Sequence, residues 1–590
     1  MKKTIKSANK LKNIALLSLL GLCLSGHAAF AQGSEQGAVG ATKATKLFFG
    51  GDILTMEGSQ PNYVQAVVVE NGKIVFLGSK TEAEKRYADA QAVDLKGKTL
   101  MPGFIEPHVH PSIAATVLPN EIIAPYDWVL PDVTKKGVVG HDAYIKRLSD
   151  SIQKNAKEDE VYWVWGYHQL WHGDLNRELL NKISPDKPVA VLHRSMHEVF
   201  LNDKAIEMMK LKEADFKGNP QVDWKKGHFF EGGWLSLVPK IAPWFIVPER
   251  YSRGLVAMTE LIKKNGITTV AEPGFPSSDF NMEYGLLKKE MEKNPPYNVY
   301  LVPNGTQLYG MKGSNEKAKD FMETLPAQYN TSNITFLPKQ VKLFADGAIY
   351  SQLMRMEGGY TDGHQGEWMT PLNLLQQQVK YYWDAGYKIH VHANGDQGIQ
   401  QVLQYVAENE KRNPRVNHRF TLHHMGYFSD QQAQQVKDLG VEASVNPYYL
   451  WALADKYSEK GLGKARGENL VRIKSLTKRG VPVSFHSDFA MAPIEPLTLA
   501  WTAINRVTAE QSKFSQDQRI DPYLALQGIT ITAARTLNLE NEIGSIKEGK
   551  DANFVVLQNN PLKVEPITIK DIKILGTVFK GRDTWSDTKP

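Results

Sequence analysis

The sequence predicts an α/β protein: a (β/α)8 TIM barrel, a small composite β-sandwich built from the two ends of the chain, and an insert after the first barrel strand. Three observations predict it. The middle of the chain alternates short apolar strand-like runs with longer helical stretches, which argues for βα units and a parallel sheet. Eight such runs can be counted, the number that closes a barrel. Short alternating strands recur at both ends of the 590 residues and differ in character from the middle.

Taken in order, the chain opens on Lys2, Lys3, Lys6, Lys10 and Lys12, then the apolar run Ile14 to Leu24, then Ala29-Phe30-Ala31 before Gln32. A basic start, a short apolar run and a small-x-small site describe a secretory signal peptide over 1–31, followed by a polar linker over 32–43. The run is well short of the roughly 20 residues needed to span a bilayer, and Leu22 before Cys23 is not the small residue a lipoprotein signal requires. No stable membrane anchor is expected, and the mature chain belongs in the periplasm or outside the cell. Removing 1–31 takes away five lysines and no acidic residue, so the net charge falls from +6 to +1. The basic balance is largely the signal's, and nucleic acid is not an expected partner. Cys23, the only cysteine, leaves with the signal. The mature chain therefore has no disulfide and no thiolate nucleophile, and any metal must be held by nitrogen and oxygen.

Residues 44–100 and 540–590 form the sandwich domain. "KLFFGGDILTM", "AVVVENGKIVFLG" and "AVDLKGKTLMPG" supply its first strands, with Asn71-Gly72 as a hairpin signal; "GSIKEGKDANFVVLQ" and "IKILGTVFKGR" supply the last. Residues 101–539 form the barrel, with strands in "GFIEPHVH", "GITTVAEPG", "NVYLVPNG", "QVKLFADG", "YKIHVHANGD", "RFTLHHMG", "VEASVNP" and "VPVSFHSDF". The segment from about 112 to 265 is too long for one crossover. It carries the Trp-rich "VYWVWGYHQLWHGD" and reads as an inserted subdomain over the barrel mouth.

The chemistry gathers at strand ends. His108 and His110 are i and i+2 in an extended strand, so both point to one face while Val109 packs on the other. Lys342, His392, the pair His423-His424 and Asp488 close later strands, at the rim where barrel enzymes hold their catalytic groups. Alone, each has an ordinary explanation: a snorkelling lysine, a hydrogen-bonded core histidine, a helix cap. Jointly they form a set of nitrogen and oxygen donors suited to zinc or a similar divalent ion.

"PGFIEPHVHP", "VKLFADGAIYS", "HANGD", the His424 strand and "HSDFAMAP" resemble, in order and spacing, the amidohydrolase superfamily, specifically its amidohydrolase family 3 or YtcJ-like branch. The resemblance runs from about Lys46 to Arg582. It implies a metal-dependent hydrolase acting on an amide-like C–N bond through metal-activated water. His108 and His110 would hold the more buried metal, a carboxylated Lys342 would bridge to a second held by His392 and His424, and Asp488 would be both ligand and general base. One or two divalent ions, zinc by donor type, are expected. Two departures stand near the second metal: His423-His424-Met425 where the family usually has Glu-His-Ala, and Gln397 where it often has Arg. His390 and His486 are assigned to the layer beneath the site. His197 resembles a substrate-pocket histidine, and Trp165, Trp171 and Tyr448 are the aromatic candidates for binding a small-molecule substrate. A homodimer is an open option. The rival readings are a non-catalytic regulatory or binding protein on the same fold, and a metal-dependent isomerase or decarboxylase.

Overall fold

The computed structural model describes residues 45–585; the expected signal peptide, Cys23 and the linker at 32–43 lie outside the described residues. The two chain ends share one eight-stranded sheet. Its order is Arg582–Asp583, Ile574–Phe579, Phe554–Leu557, Thr99–Pro102, Lys46–Leu54, Tyr63–Glu70 and Lys73–Gly78, with Gln91–Asp94 pairing beside Lys46–Leu54. The joint is the antiparallel pairing of Thr99–Pro102 with Phe554–Leu557. Asn71 and Gly72 turn the hairpin with φ of 52° and 77°, and Glu70 pairs with Lys73. Both turn residues thus have the positive φ that a two-residue hairpin matched to strand twist demands, which explains Asn-Gly there. Alternation divides the side chains between two faces: Phe48, Val67, Phe554 and Val578 bury in one cluster, Leu47, Val68 and Phe76 in another with Ala83 of the helix Lys80–Arg86.

The middle of the chain is a mixed α/β body built on parallel strands. One sheet runs Ile334–Phe336, Asn298–Pro303, Ile267–Phe275, Phe104–Glu106; the other runs Gln340–Phe344, Lys388–Ala393, Thr421–His424, Glu442–Val445, Val483–Phe485. Every ladder in both is parallel. The strand-like runs predicted from sequence are all present, but the hydrogen-bonding pattern is two open sheets and not one closed one. The breaks have a local cause. Leu337-Pro338-Lys339 separates Phe336 from Gln340, with no N–H on Pro338 and φ of 51° at Lys339, so one strand becomes two and changes sheet. At the other seam, Pro107 and Pro111 bracket the histidine pair. There the contact is made by Asp488 N donating to His108 O and His110 N donating to Phe489 O, both at 3.1 Å, and by Ser487 N donating to the Glu106 carboxylate at 2.9 Å.

The insert contributes a six-stranded sheet in the order Val222–Asp223, His228–Phe230, Glu198–Leu201, Val189–His193, Tyr162–Tyr167, Glu121–Ile122. The helix Gly232–Phe245 follows it, and Pro248–Lys264 leads the chain back into the parallel strands. Among the described residues no helix is long and apolar enough to cross a membrane.

Candidate metal and substrate site

His108, His110, Lys342, His392, His424 and Asp488 all line one cavity of about 160 Å³. The strand ends at Glu106, and His108 and His110 lie in the loop just past it, both on the cavity wall, with Val109 fully buried between them. His108 Nε2 lies 3.2 Å from His110 Nε2, and Asp488 Oδ1 lies 3.6 Å and 3.3 Å from those two nitrogens. Asp488 Oδ2 is 3.7 Å from His424 Nδ1. His424 and Asp488 have φ of 79° and 55°, the left-handed region that side chains other than glycine avoid. Sheet and loop must hold them there, as strained backbone at functional positions commonly is.

Among the described residues, two groups can bring three ligand atoms within 4.8 Å of one another: His108, His110 and Asp488, and His108, His423 and His486. Burial, with neighbouring positive or histidine groups adding to it, holds His108, His392 and His424 well below the usual histidine pKa, so their rings are neutral and have a lone pair to give. His110 is different. Burial opposes its charge, but Asp488 and Glu272 outweigh burial and push its pKa up to about 9. Without a metal it is an imidazolium paired to Asp488, and a cation bound there must displace its proton. Lys342 is fully buried, its Nζ has no hydrogen-bond partner, and burial lowers its pKa to about 7 against the pull of Asp488. His424 Nε2 is likewise buried and unpartnered. A concentration of buried donors with unmet bonding capacity is costly unless something fills it, and the nitrogen–oxygen set fits a divalent ion.

His392 Nε2 already accepts from the Asn394 amide at 3.0 Å, so any ligation there competes with Asn394. His423 faces the underside of the cavity wall, 2.8 Å from His108 Nδ1, whereas His424 lines the cavity; adjacent strand residues face opposite ways. His390 sits beneath, 2.9 Å from His423, and His486 is 3.3 Å from His424 Nδ1 and 2.9 Å from Ser444 Oγ.

His197 lines the cavity, its Nδ1 2.8 Å from Glu231 Oε2 and its ring stacked on His392 at 5.9 Å. Burial works against its charge, but Glu231 outweighs burial and raises its pKa. The aromatic candidates lie elsewhere. Trp165 is fully buried against Trp128, Trp171 packs on His168 and Tyr126, and Tyr448 packs on Trp451; none lines the cavity. For Trp165 the reason is that Tyr162–Tyr167 is an interior strand with a neighbour on each edge and the Trp165 side chain is fully buried; Trp171 and Tyr448 lie on the helices Gln169–His172 and Tyr448–Lys456 and pack away from the cavity. The apolar wall comes from Trp234, Val238, Phe245, Tyr449 and Met491. Val238, Phe245 and Tyr449 escape sequence reasoning, as do Glu106, Glu231, Glu272 and Asn394, whereas Trp234 belongs to the sequence's aromatic set, read by default as core and lid packing, and Met491 to the loop after the last barrel strand, its alternative pocket. Glu106, two residues before His108 in the sequence, carried a readable signal; Glu231, far from the motifs in sequence, carried none.

The amidohydrolase family profile matches residues 91–584, and the chain belongs to that family. It is 24% identical over 547 residues to an N-substituted formamide deformylase of Arthrobacter pascens, covering 88% of this chain and 94% of that protein. It is 23% identical to YtcJ of Bacillus subtilis, over 91% and 98% of the two chains. Its fold is like that of a metal-dependent hydrolase from Pyrococcus horikoshii, with a TM-score of 0.68 at 22% identity, over 89% of this chain and 99% of the other.

Proposed function

We propose that this protein is a metal-dependent hydrolase that cleaves an amide-like C–N bond in a small molecule: a non-peptide amide, an N-acyl group or a cyclic amide. The observation that carries the reading is the convergence of six nitrogen and oxygen donors, five of them buried, on one cavity, with Lys342 Nζ unpartnered among them. We read the two parallel sheets as arcs of a (β/α)8 barrel. Support comes from the backbone bonds between 488–489 and 108–110 at one seam and the bridge between Asn304 and Lys342 at the other. In that reading the donors stand at the C-terminal rim.

His108, His110 and Asp488 would hold one divalent ion, zinc by donor type; Lys342 as a carbamate, with His392 and His424, would hold a second. Such an ion supplies Lewis acidity, drawing the pKa of a water towards neutrality and polarising a carbonyl. The residues do the rest. Asp488 takes the proton of the attacking water and delivers it to the leaving nitrogen as the C–N bond breaks. His197, whose charged form is disfavoured by burial but favoured more strongly by Glu231, would offer an N–H to the substrate oxygen. The wall of Trp234, Val238 and Phe245 receives an apolar substituent. The name of the Arthrobacter relative, an N-substituted formamide deformylase, supports an amide of this class. The lysine-rich start and the Ala-Phe-Ala site support a mature protein that begins at or near Gln32 outside the cytoplasm; mass spectrometry of an extracytoplasmic fraction tests that.

Hydrolysis is tested on the metal-free protein reloaded with zinc and assayed against N-formyl amines, N-acyl amines and cyclic amides. At least one class is turned over by the wild type, and Asp488→Asn lowers that rate about 10²- to 10⁴-fold while retaining the fold. Metal content and electron density at Lys342 Nζ give the ion count and the carbamate. A metal-loaded protein inert to every amide class, or an unimpaired Asp488→Asn, overturns the reading.

A further inference from the structure

We propose that Gln340, His390 and His423 form a one-directional hydrogen-bond relay that fixes His108 in the tautomer able to bind a metal ion. The proposal rests on the reading of His108 as a ligand. It starts at the end remote from the cavity. Gln340 Nε2 donates to Leu537 O at 3.0 Å. A carbonyl oxygen only accepts, so this bond fixes which way the amide lies and leaves Gln340 Oε1 facing His390 Nε2 at 2.8 Å. An amide oxygen also only accepts, so His390 carries its proton on Nε2 and has a lone pair on Nδ1.

That lone pair lies 2.9 Å from His423 Nε2, which must therefore donate. His423 Nδ1 is then the acceptor for His108 Nδ1–H at 2.8 Å. His108 is left with its lone pair on Nε2, the nitrogen that faces His110 Nε2 and Asp488. Each member is buried, Gln340 at 3% exposure being the most open, so water is excluded as an alternative partner. Reversing the relay would turn the Gln340 oxygen onto the Leu537 carbonyl, leaving two buried acceptors face to face.

The register of the strands makes this possible. His390 pairs with Thr421 and His392 with His423, while Gln340 pairs with Lys388 and Lys342 with His390, so relay residues from three adjacent strands lie under the cavity floor. His423 is the necessary middle member. An acceptor-only carboxylate at that position could take the His108 proton but could not pass a donor on to His390. A neutral imidazole has two tautomers, and partners behind a metal-binding histidine commonly set which one is present. Gln340, His390 and His423 are positioning residues in this sense; none touches substrate.

The test uses the full chain, stripped of metal, as wild type, Gln340→Glu and Gln340→Met. Nitrogen-15 spectra of labelled histidine read the His108 tautomer, its signals assigned by their loss in His108→Asn, and zinc affinity is measured by competition with a chromophoric chelator. Wild type and Gln340→Glu, which keeps an acceptor for His390, should show the His108 proton on Nδ1 and bind zinc within about threefold of each other. Gln340→Met should mix the tautomers and lose about 10- to 100-fold in zinc affinity. A packing role predicts the opposite order, because methionine keeps the shape and glutamate sets an acceptor against Leu537 O. If Gln340→Met does not fold, Gln340→Glu against wild type still decides. A wild-type His108 protonated on Nε2, zinc binding by Gln340→Met within about twofold of wild type, or Gln340→Glu weaker than Gln340→Met overturns the relay. A wild type with the proton on Nδ1 that fails to bind zinc supports the relay and removes His108 as a ligand.

Discussion

At the scale of single residues, burial sets the chemistry. Lys342, its pKa lowered to about 7, is the clearest case. Below that value the lysine is charged in both folded and unfolded chains, and the full cost of burying the charge applies. From about 7 up to the unfolded value the unfolded chain holds the extra proton, so the stability contributed at this position rises with pH. Metal-free Lys342→Met should therefore be more stable than the metal-free wild type at pH 7, and that advantage should shrink by about 1–3 kcal/mol by pH 9 in parallel urea titrations. A gap independent of pH would show that Lys342 does not change protonation in that window. His110 has the opposite sign, raised to about 9 by Asp488 and Glu272. Zinc binding at pH 7.5 should release a proton from it, seen as a dependence of the calorimetric heat on the ionisation enthalpy of the buffer and reduced in His110→Asn. Heats that are the same in every buffer would count against ligation by His110.

At the scale of elements, the insert separates packing from recognition. Trp165, on an interior strand and in edge-to-face contact with Trp128 at 4.8 Å, belongs to the core. Trp165→Ala should cost about 3–5 kcal/mol of stability, read from denaturant midpoints. In whatever fraction stays folded, it should leave KM unchanged. Trp234 on the helix Gly232–Phe245 lines the cavity. Trp234→Ala should raise KM for an apolar substrate by about 10-fold, an apolar contact being worth about 1–3 kcal/mol, with zinc content unchanged. Equal kinetics for Trp234→Ala and wild type across substrates of different apolar bulk would take this wall out of recognition.

At the scale of the whole molecule, the donors tie separate parts of the chain together. His108 and His110 follow the strand Phe104–Glu106 of one parallel sheet, while Asp488, assigned to the same ion, follows Val483–Phe485 of the other. An ion held by both sheets binds the folded state alone, so its removal should lower the melting temperature. With free zinc at 100 to 1,000 times Kd the stabilisation is about 3–4 kcal/mol. Thermal scans with and without chelator should differ by several degrees for the wild type and hardly at all for His108→Asn. Equal scans for the wild type would mean the ion does not link the sheets.

Much of this was legible in the residues because it depends only on local geometry. Asn71-Gly72 turns a hairpin because both residues tolerate positive φ, the parallel strands appear where apolar runs alternate with helical stretches, and His108 and His110 both reach the cavity, although from the loop just past the strand Phe104–Glu106 and not from the strand itself. Whatever depends on what covers a surface was decided by the tertiary structure alone. Alternation says that His423 and His424 face opposite ways but not which faces the cavity. An apolar strand such as Tyr162–Tyr167 has the same pattern whether its second face meets substrate or core. Pro338 and Lys339 break one strand into two, a change of sheet that depends on which neighbours are there to pair. The pairing of His108 with His423, and of His197 with Glu231, joins positions 315 and 34 residues apart; periodicity carries no information over such separations, and only close packing brings those groups within hydrogen-bond reach.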